Sequence, residues 1–330
     1  MGPNFIEAAW WGLSLIVGVT GVSGGVGRKL ASSLLEWSRC SRVVGVDLRK
    51  PEFRSDRLKF YRMDVREKRL AEVFEREEVD AVVHTAFASR AESRSAMRDM
   101  NVNGARNVLE ACREADVSWV MVLSSAMAYG AYRDNPVPLT EEHPLRGGRL
   151  PYSQDKREID LLAQEFAREN PDVRVLIARP AMVLGPNVES FLSRYIMGSG
   201  VALIPWDANA PLQFIHEDDV VRFCKLAMEQ RASGAYNIAG EGALTFLEVL
   251  EISGRRYLKL PPVVAYAIAY ILHKAGVMEA SPAQYDVVRF PQAVSTEKAR
   301  RELGFNPEYT TLGALISFLR SKGVKPKLEE

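Results

Sequence analysis

Ser14-Leu15-Ile16-Val17-Gly18-Val19-Thr20-Gly21-Val22-Ser23-Gly24-Gly25-Val26-Gly27 runs from an apolar segment straight into a glycine-rich turn. The apolar half, rich in β-branched residues, reads as a strand buried on both faces. The pattern that follows, Val26–Trp37, reads as a helix. In a strand–turn–helix of this kind each glycine has a separate task. Gly21 permits the tight turn, Gly24 lets the backbone approach a pyrophosphate, and Gly27 lets the helix close on the strand. The phosphates then meet the positive end of the helix dipole. A glycine string by itself is an ordinary turn, so the flanking sequence decides.

Downstream, Arg42–Asp47, Leu58–Met63, Asp80–Thr85, Ser118–Ser124 and Val173–Ala178 read as further strands. Between them Arg66–Glu78, Asn101–Glu114 and Tyr152–Glu169 read as helices. Apolar strands alternating with amphipathic helices imply an α/β fold, a Rossmann-like doubly wound parallel sheet. Residues 14–180 are expected to form an NAD-binding domain to which 214–240 returns, with 181–330 a smaller, interleaved C-terminal substrate domain. In that second part Gln213–His216 and Ala235–Ile238 read as short strands around a helix Asp218–Gln230. Helices are expected at Val263–Leu272, Ser295–Leu303 and Leu312–Arg320. Pro262–Leu272 is apolar but falls short of the ~20 residues of a membrane span, so it reads as a buried helix. Trp10 and Trp11 precede the first strand without a basic n-region, which reads as a leader into the strand and not a signal peptide.

Composition narrows the function. The chain has 330 residues, 47% of them hydrophobic, and a net charge of +1, which argues against a nucleic-acid or membrane partner. Cys40, Cys112 and Cys224 are scattered, with no CxxC or Cys/His cluster. Neither a disulfide framework nor a metal site is expected, and a reducing, cytoplasmic setting is.

Asp47 closes the second strand 20 residues after Gly27, where a carboxylate accepts from ribose hydroxyls and repels a 2′-phosphate. NAD is therefore favoured over NADP, although Arg49 and Lys50 follow closely and offset some of that repulsion. Asp64 ends the third strand and reads equally as an adenine contact or as the cap of the helix beginning at Val65. Tyr152 and Lys156 stand four apart at the start of a helix and so share a face. An ammonium beside a phenol favours the phenolate and fits the tyrosine for proton transfer. Tyr270 and Lys274 have the same spacing, but there the reading is a buried helix with a snorkelling lysine. What distinguishes Tyr152 is Ser124-Ser125, 27 residues upstream of it counting from Ser125, at the carboxyl edge of the preceding strand.

With these residues in place, the chain resembles the extended short-chain dehydrogenase/reductase family, also called the NAD-dependent epimerase/dehydratase family. The resemblance covers Leu15 to about Leu319. It includes Thr20–Gly27, Asn101-Val102-Asn103-Gly104, Ser124–Gly130, Tyr152–Lys156, Arg179-Pro180, Phe214–Val220, Gly234–Asn237 and Lys298–Phe305. By position it implies that Ser125 binds the reacting oxygen and Tyr152 moves the proton. Lys156 would hold the nicotinamide ribose, and Asn101 would be the helix asparagine near the site. Pro180 and Ser124 would touch the cofactor, with Asp64 and Val65 near its adenine and Thr85, Ala86 and Phe87 lining its channel after the fourth strand. His216 lies in a family motif as a structural residue. A homodimer is the family's common assembly, pairing the Asn101–Glu114 and Tyr152–Glu169 helices.

Three departures bear on substrate. Family dehydratases usually carry Asp-Glu after the catalytic hydroxyl residue, where this chain has Ala126-Met127. Nucleotide-sugar enzymes usually have Asn three residues after the arginine matching Arg179, here Met182. They often have Arg-Asp before Phe214, here Leu212-Gln213. A diphosphate anchor is missing from these positions, while Arg255 and Arg256 remain as cations elsewhere. The expectation is an NAD-dependent oxidoreductase acting on a secondary alcohol or ketone of a small molecule, not a nucleotide sugar. The alternatives are a nucleotide-sugar 4-epimerase and a non-catalytic NAD(P)-sensing protein, the latter having no need of an intact Ser125/Tyr152/Lys156 set.

Overall fold

The computed structural model describes residues 14–89, 91–188, 190–198, 200–276 and 281–327. Trp10 and Trp11 lie outside them. The strands are β1 (Leu15–Thr20), β2 (Cys40–Asp47), β3 (Leu58–Arg62), β4 (Ala81–His84), β5 (Trp119–Leu123), β6 (Arg174–Pro180), β7 (Met182–Leu184), β8 (Ala202–Pro205), β9 (Phe214–His216), β10 (Gly234–Ile238) and β11 (Tyr257–Leu260). Seven of them make one sheet in the order β10-β6-β5-β4-β1-β2-β3. β1 runs parallel to β2 on one side and to β4 on the other, and the β2–β3 and β4–β5 pairs are parallel as well. The sheet is the α/β, Rossmann-like one expected from the sequence. Its central strands are apolar because both faces are covered: Val17, Val19, Val82, Val83 and Val120 are all fully buried.

Strand order reverses between β1 and β4. At such a switch point the chain leaves adjacent strands in opposite directions, which opens a crevice at their carboxyl ends. The glycine turn after β1 and the Thr85–Phe87 segment after β4 stand at that edge.

The chain divides into two compact units. Of the described residues, one unit comprises those from 14 to Leu123, Leu162–Leu176 and Ala227–Gly234; the other Ser124–Leu161, Ile177–Leu226 and those from Ala235 onward. The second unit has its own core around Leu184, Ile204, Phe214, Phe246, Leu250 and Phe318. Two short parallel pairs, β7–β9 and β8–β11, lie in it.

Three elements differ from expectation. The helix expected at Arg66–Glu78 begins only at Leu70. Ahead of it the Asp64 carboxylate accepts from the Arg66 amide at 2.9 Å, and Glu67 N–H donates to the Asp64 carbonyl at 3.0 Å, which makes a turn where a first helical turn was expected. The Asn101–Glu114 helix opens with a wider turn over Asp99–Asn103 before regular helix starts at Gly104. The Pro262–Lys274 helix is not buried as expected. Ala265 and Ala269 pack inward, while Val263 is 81% exposed and Ile271 63%.

Candidate functional site

The glycine turn is built around backbone contacts that tolerate no side chain. Gly21 has φ +75°, and a Cβ there would lie 2.6 Å from the Ala86 nitrogen. A Cβ on Gly27 would lie 2.1 Å from the Gly21 carbonyl oxygen. Thr85 Oγ1 donates to the Thr20 carbonyl at 2.7 Å, which fastens the β4 exit against the turn. Asn101, buried, fixes the same segment from its other end: its carboxamide accepts from the Ala88 amide at 2.7 Å and donates to the Ala88 carbonyl at 3.1 Å. Thr85, Ala86 and Phe87 are thus held between two anchors. No side chain caps the Gly25–Glu36 helix and its first turn holds no acid, so its positive end suits an anion.

Asp47 is preorganised. One carboxylate oxygen accepts the Ser23 N–H at 3.0 Å and the other the Arg49 N–H at 3.0 Å. This ties the end of β2 to the glycine turn and leaves acceptor capacity on both oxygens. Arg49 and Lys50 are exposed. Asp64 is engaged by the Arg66 guanidinium, which holds its carboxyl below the usual carboxylate range. Val65 packs close to Gly104, whose Cβ would meet it at 2.9 Å. This set fits a dinucleotide pyrophosphate and ribose: a cradle that side chains would fill, a helix N-terminus and a fixed carboxylate.

Ser125, Tyr152 and Lys156 belong to the second unit. Ser125 is extended, follows β5 and caps the short turn Ala126–Tyr129, accepting from the Met127 amide at 3.1 Å. Gly130, at φ +81°, lies against Gly147 so tightly that a Cβ would fall 1.4 Å from the Gly147 carbonyl oxygen. Gly147 N–H donates to Ala128 at 2.9 Å. The segment leading into the Pro151–Glu169 helix therefore rests on the serine turn, and the Tyr152 phenol hydrogen-bonds Ser125. The Tyr152 side chain is 37% exposed, yet its hydroxyl end is desolvated, which raises its pKa while the Ser125 bond opposes the rise. Lys156 is buried, with Nζ 5.8 Å from the Tyr152 ring centroid. Burial lowers its pKa to about 7, against the pull of Asp155 and Asp160.

Sequence reading missed Asp160. It stands four residues after Lys156, fully buried, and its two oxygens accept the Arg179 fork at 2.9 Å each. Ser124 Oγ donates to it at 2.7 Å. Arg179 also donates to the Tyr129 hydroxyl at 2.8 Å, and Tyr129 donates to Asn237 at 2.9 Å. This network joins the serine turn, the Tyr152 helix, β6 and β10. It engages Ser124 through its hydroxyl, and Pro180 ends β6 directly after Arg179. The available signal was the i, i+4 spacing from Lys156 on a buried face. His216 is structural as expected: its ring stacks on Tyr309 at 3.9 Å, and Nε2 lies 2.9 Å from Ser317 Oγ. Among the described residues no group of His, Cys, Asp and Glu could hold a metal.

The model of the NAD dependent epimerase/dehydratase family matches residues 17–239. The chain belongs to that family. It is an enzyme family of the extended short-chain dehydrogenase/reductase type, and its cofactor is NAD. Among relatives, the uncharacterized protein Rv0501 from Mycobacterium tuberculosis is 30% identical over 326 residues, covering 95% of this chain and 86% of its own. The fold is shared with the dTDP-glucose 4,6-dehydratase DesIV from Streptomyces venezuelae, solved with NAD and TYD bound (TM-score 0.75, 22% identity, 94% of this chain and 97% of that one). It is shared too with a UDP-glucose 4-epimerase from Thermotoga maritima, solved with UDP-glucose (TM-score 0.72, 21% identity, 94% and 99%). Against the usual pattern of this epimerase/dehydratase family, the departing residues of this chain come together. Ala126, Met127, Met182, Leu212 and Gln213 line one small cavity of about 20 Å³ with Ala181, Pro211, Val287 and Gln292, and no charged side chain is among them.

Proposed function

We propose that this protein transfers a hydride between NAD and a secondary alcohol or ketone of a small molecule that carries no nucleoside diphosphate. The observation that carries the chemistry is the Tyr152 phenol hydrogen-bonded to Ser125, with buried Lys156 Nζ 5.8 Å from its ring. NAD supplies the hydride acceptor. Ser125 and Tyr152 bind the substrate oxygen from two sides, and the Tyr152 oxygen takes the hydroxyl proton as the carbon–hydrogen bond breaks. Burial drives Tyr152 towards the neutral phenol, so a cation beside it is needed to make phenolate accessible. Lys156 stands in that position: burial, the larger effect, lowers its pKa to about 7, while Asp155 and Asp160 favour its charged form. Asp47 accepts from the adenosine ribose hydroxyls and selects NAD over NADP. Residues 14–180 with 214–240 act as the NAD-binding domain, and 181–330 as the substrate domain. The scattered, buried free thiols Cys40, Cys112 and Cys224 support a cytoplasmic setting.

The charge-free lining formed by Ala126, Met127, Met182, Leu212 and Gln213 supports the substrate class; the space it encloses, about 20 Å³, is not itself a substrate-sized pocket. A pyrophosphate dianion needs arginine forks or several aimed amides, and this lining offers no cation. The second reading, a nucleotide-sugar 4-epimerase, is favoured by structural neighbours that are UDP-galactose and UDP-glucose 4-epimerases. One experiment separates them. The protein with NAD is screened against secondary alcohols by NADH absorbance, and in parallel it is titrated with UDP and incubated with UDP-glucose. NADH formation without UDP binding is the expected result. Micromolar UDP affinity, or appearance of UDP-galactose, moves the assignment to the epimerase.

A further inference from the structure

The Pro262–Lys274 helix is apolar on all sides, yet only one side of it is covered. At about 100° per residue, buried Ala265 and Ala269 define the inner face, which packs on β8. Val263, Ala267, Tyr270 and Ile271 define the opposite face, and all are exposed. Trp206 is exposed close to the start of the helix: its backbone N–H donates to the Leu260 carbonyl at 2.9 Å, two residues before the helix begins, and it is 58% exposed. Leu258, on β11, is 51% exposed. An apolar helix of this kind is normally buried or membrane-facing.

Charge selects the occupant. Lys259, His273 and Lys274 are exposed on or beside the helix, and residues 253–276 hold no Asp or Glu; Arg255 lies over the Tyr195 ring and against Gly198. Asp207, next to Trp206, is neutralised by Arg289 at 2.8 Å. Two copies meeting through this face would oppose cation to cation. An anionic lipid surface matches both the apolar face and its basic rim. Trp and Tyr rings suit headgroup depth, and lysines snorkel from it. The helix is too short to cross a membrane. We propose that this face seats the protein on an anionic membrane surface, with the Pro262–Lys274 helix lying in the interface. The whole-chain charge of +1, which argued against a membrane partner, averages away this local excess.

The test is co-sedimentation of the full chain with vesicles of roughly seven parts phosphatidylcholine to three of phosphatidylglycerol, against phosphatidylcholine alone. Binding to the anionic vesicles is expected, weakened at about 1 M salt, where the Debye length is ~3 Å. Combined Val263→Ser, Tyr270→Ser and Ile271→Ser should lower it at least ~tenfold, since binding scales with buried apolar area. Lys259→Glu with Lys274→Glu should lower it at least ~tenfold by charge alone. All five residues are exposed, and a melting curve like that of the wild type verifies the fold of each variant. The proposal is overturned if the wild type stays in the supernatant with both vesicles, or if both variants bind like it. It is overturned equally if the serine variant lowers the particle mass in solution, which assigns the face to a second copy.

Discussion

At Tyr152 and Lys156 burial acts in opposite directions on two groups that must work together. It raises the phenol, whose Ser125 bond pulls the other way, and lowers the ammonium to about 7. Removing the Tyr152 hydroxyl should cost the proton transfer and little else. Tyr152→Phe is expected to lower kcat by ~10²–10⁴ with NAD affinity unchanged by fluorescence titration. Tyr270→Phe, at an exposed ring, should leave both untouched; the reverse ranking would remove Tyr152 from the chemistry. Lys156 makes a second prediction, on stability. Its folded value lies below the 10.5 of a free lysine, so between about 7 and that value the unfolded chain holds a proton the folded chain has released. Stability from this group therefore rises with pH across the window and is flat below it, with a slope of at most about 1.4 kcal/mol per pH unit. In denaturant titrations of the cofactor-free protein at pH 7 and 8.5, wild type should gain on Lys156→Met as pH rises. Equal gains in the two proteins would mean the lysine keeps its charge when buried. The Tyr–Lys pair was legible because its spacing is local. Asp160 was not, because its meaning rests on Arg179, 19 residues on, and on Ser124, 36 residues back, which only the folded chain brings to it.

Among the elements, the strands of the seven-stranded sheet were legible to within two residues at either end; the central ones are apolar throughout because both faces are covered, while the outer β3 carries exposed Lys59 and Arg62. Helix starts were harder. At Asp64–Glu67 side-chain acceptors compete with helical hydrogen bonding, and the helix waits until Leu70. At Pro262–Lys274 composition says that an apolar helix exists, but periodicity has no polar face from which to infer exposure. The β1–turn–helix element carries the most demanding geometry. Gly27 faces the Gly21 carbonyl and Thr85 Oγ1, and an alanine Cβ would stand 2.1 Å from the former, a backbone atom with no rotamer to change. Gly27→Ala should force the helix off the strand, cost ~1–3 kcal/mol as overpacking, and close the pyrophosphate cradle. The measurement is the melting temperature with and without NAD. The variant is expected to melt earlier and to lose the NAD-induced rise. If the rise survives intact, the turn is only a strand–helix connection and the phosphates bind elsewhere.

For the molecule as a whole, two exposed surfaces differ in their charge logic, and the difference predicts which of them joins copies of the chain. The exposed cations of the Pro262–Lys274 helix and its approach, Lys259, His273 and Lys274, would oppose each other across a two-fold contact. The groove between the Gly104–Glu114 and Pro151–Glu169 helices carries both signs: Arg106 and Arg113, with Glu110, on one side and Glu165 and Glu169 on the other, over buried Leu109, Leu162 and Phe166. A two-fold axis through such a surface sets the arginines of one copy over the glutamates of its partner. The expected particle is a homodimer of twice the 36.8 kDa chain. Arg106→Glu with Arg113→Glu should shift it to the single chain, because both sides of the groove then carry like charge. Adding Glu165→Arg and Glu169→Arg to the same protein reverses every pair and should restore the dimer, an outcome that damage to the fold would not produce. Light scattering at micromolar concentration reads each mass directly. A wild-type particle of 36.8 kDa would remove this groove as an interface. A dimer indifferent to the charge reversal would move the contact to another face.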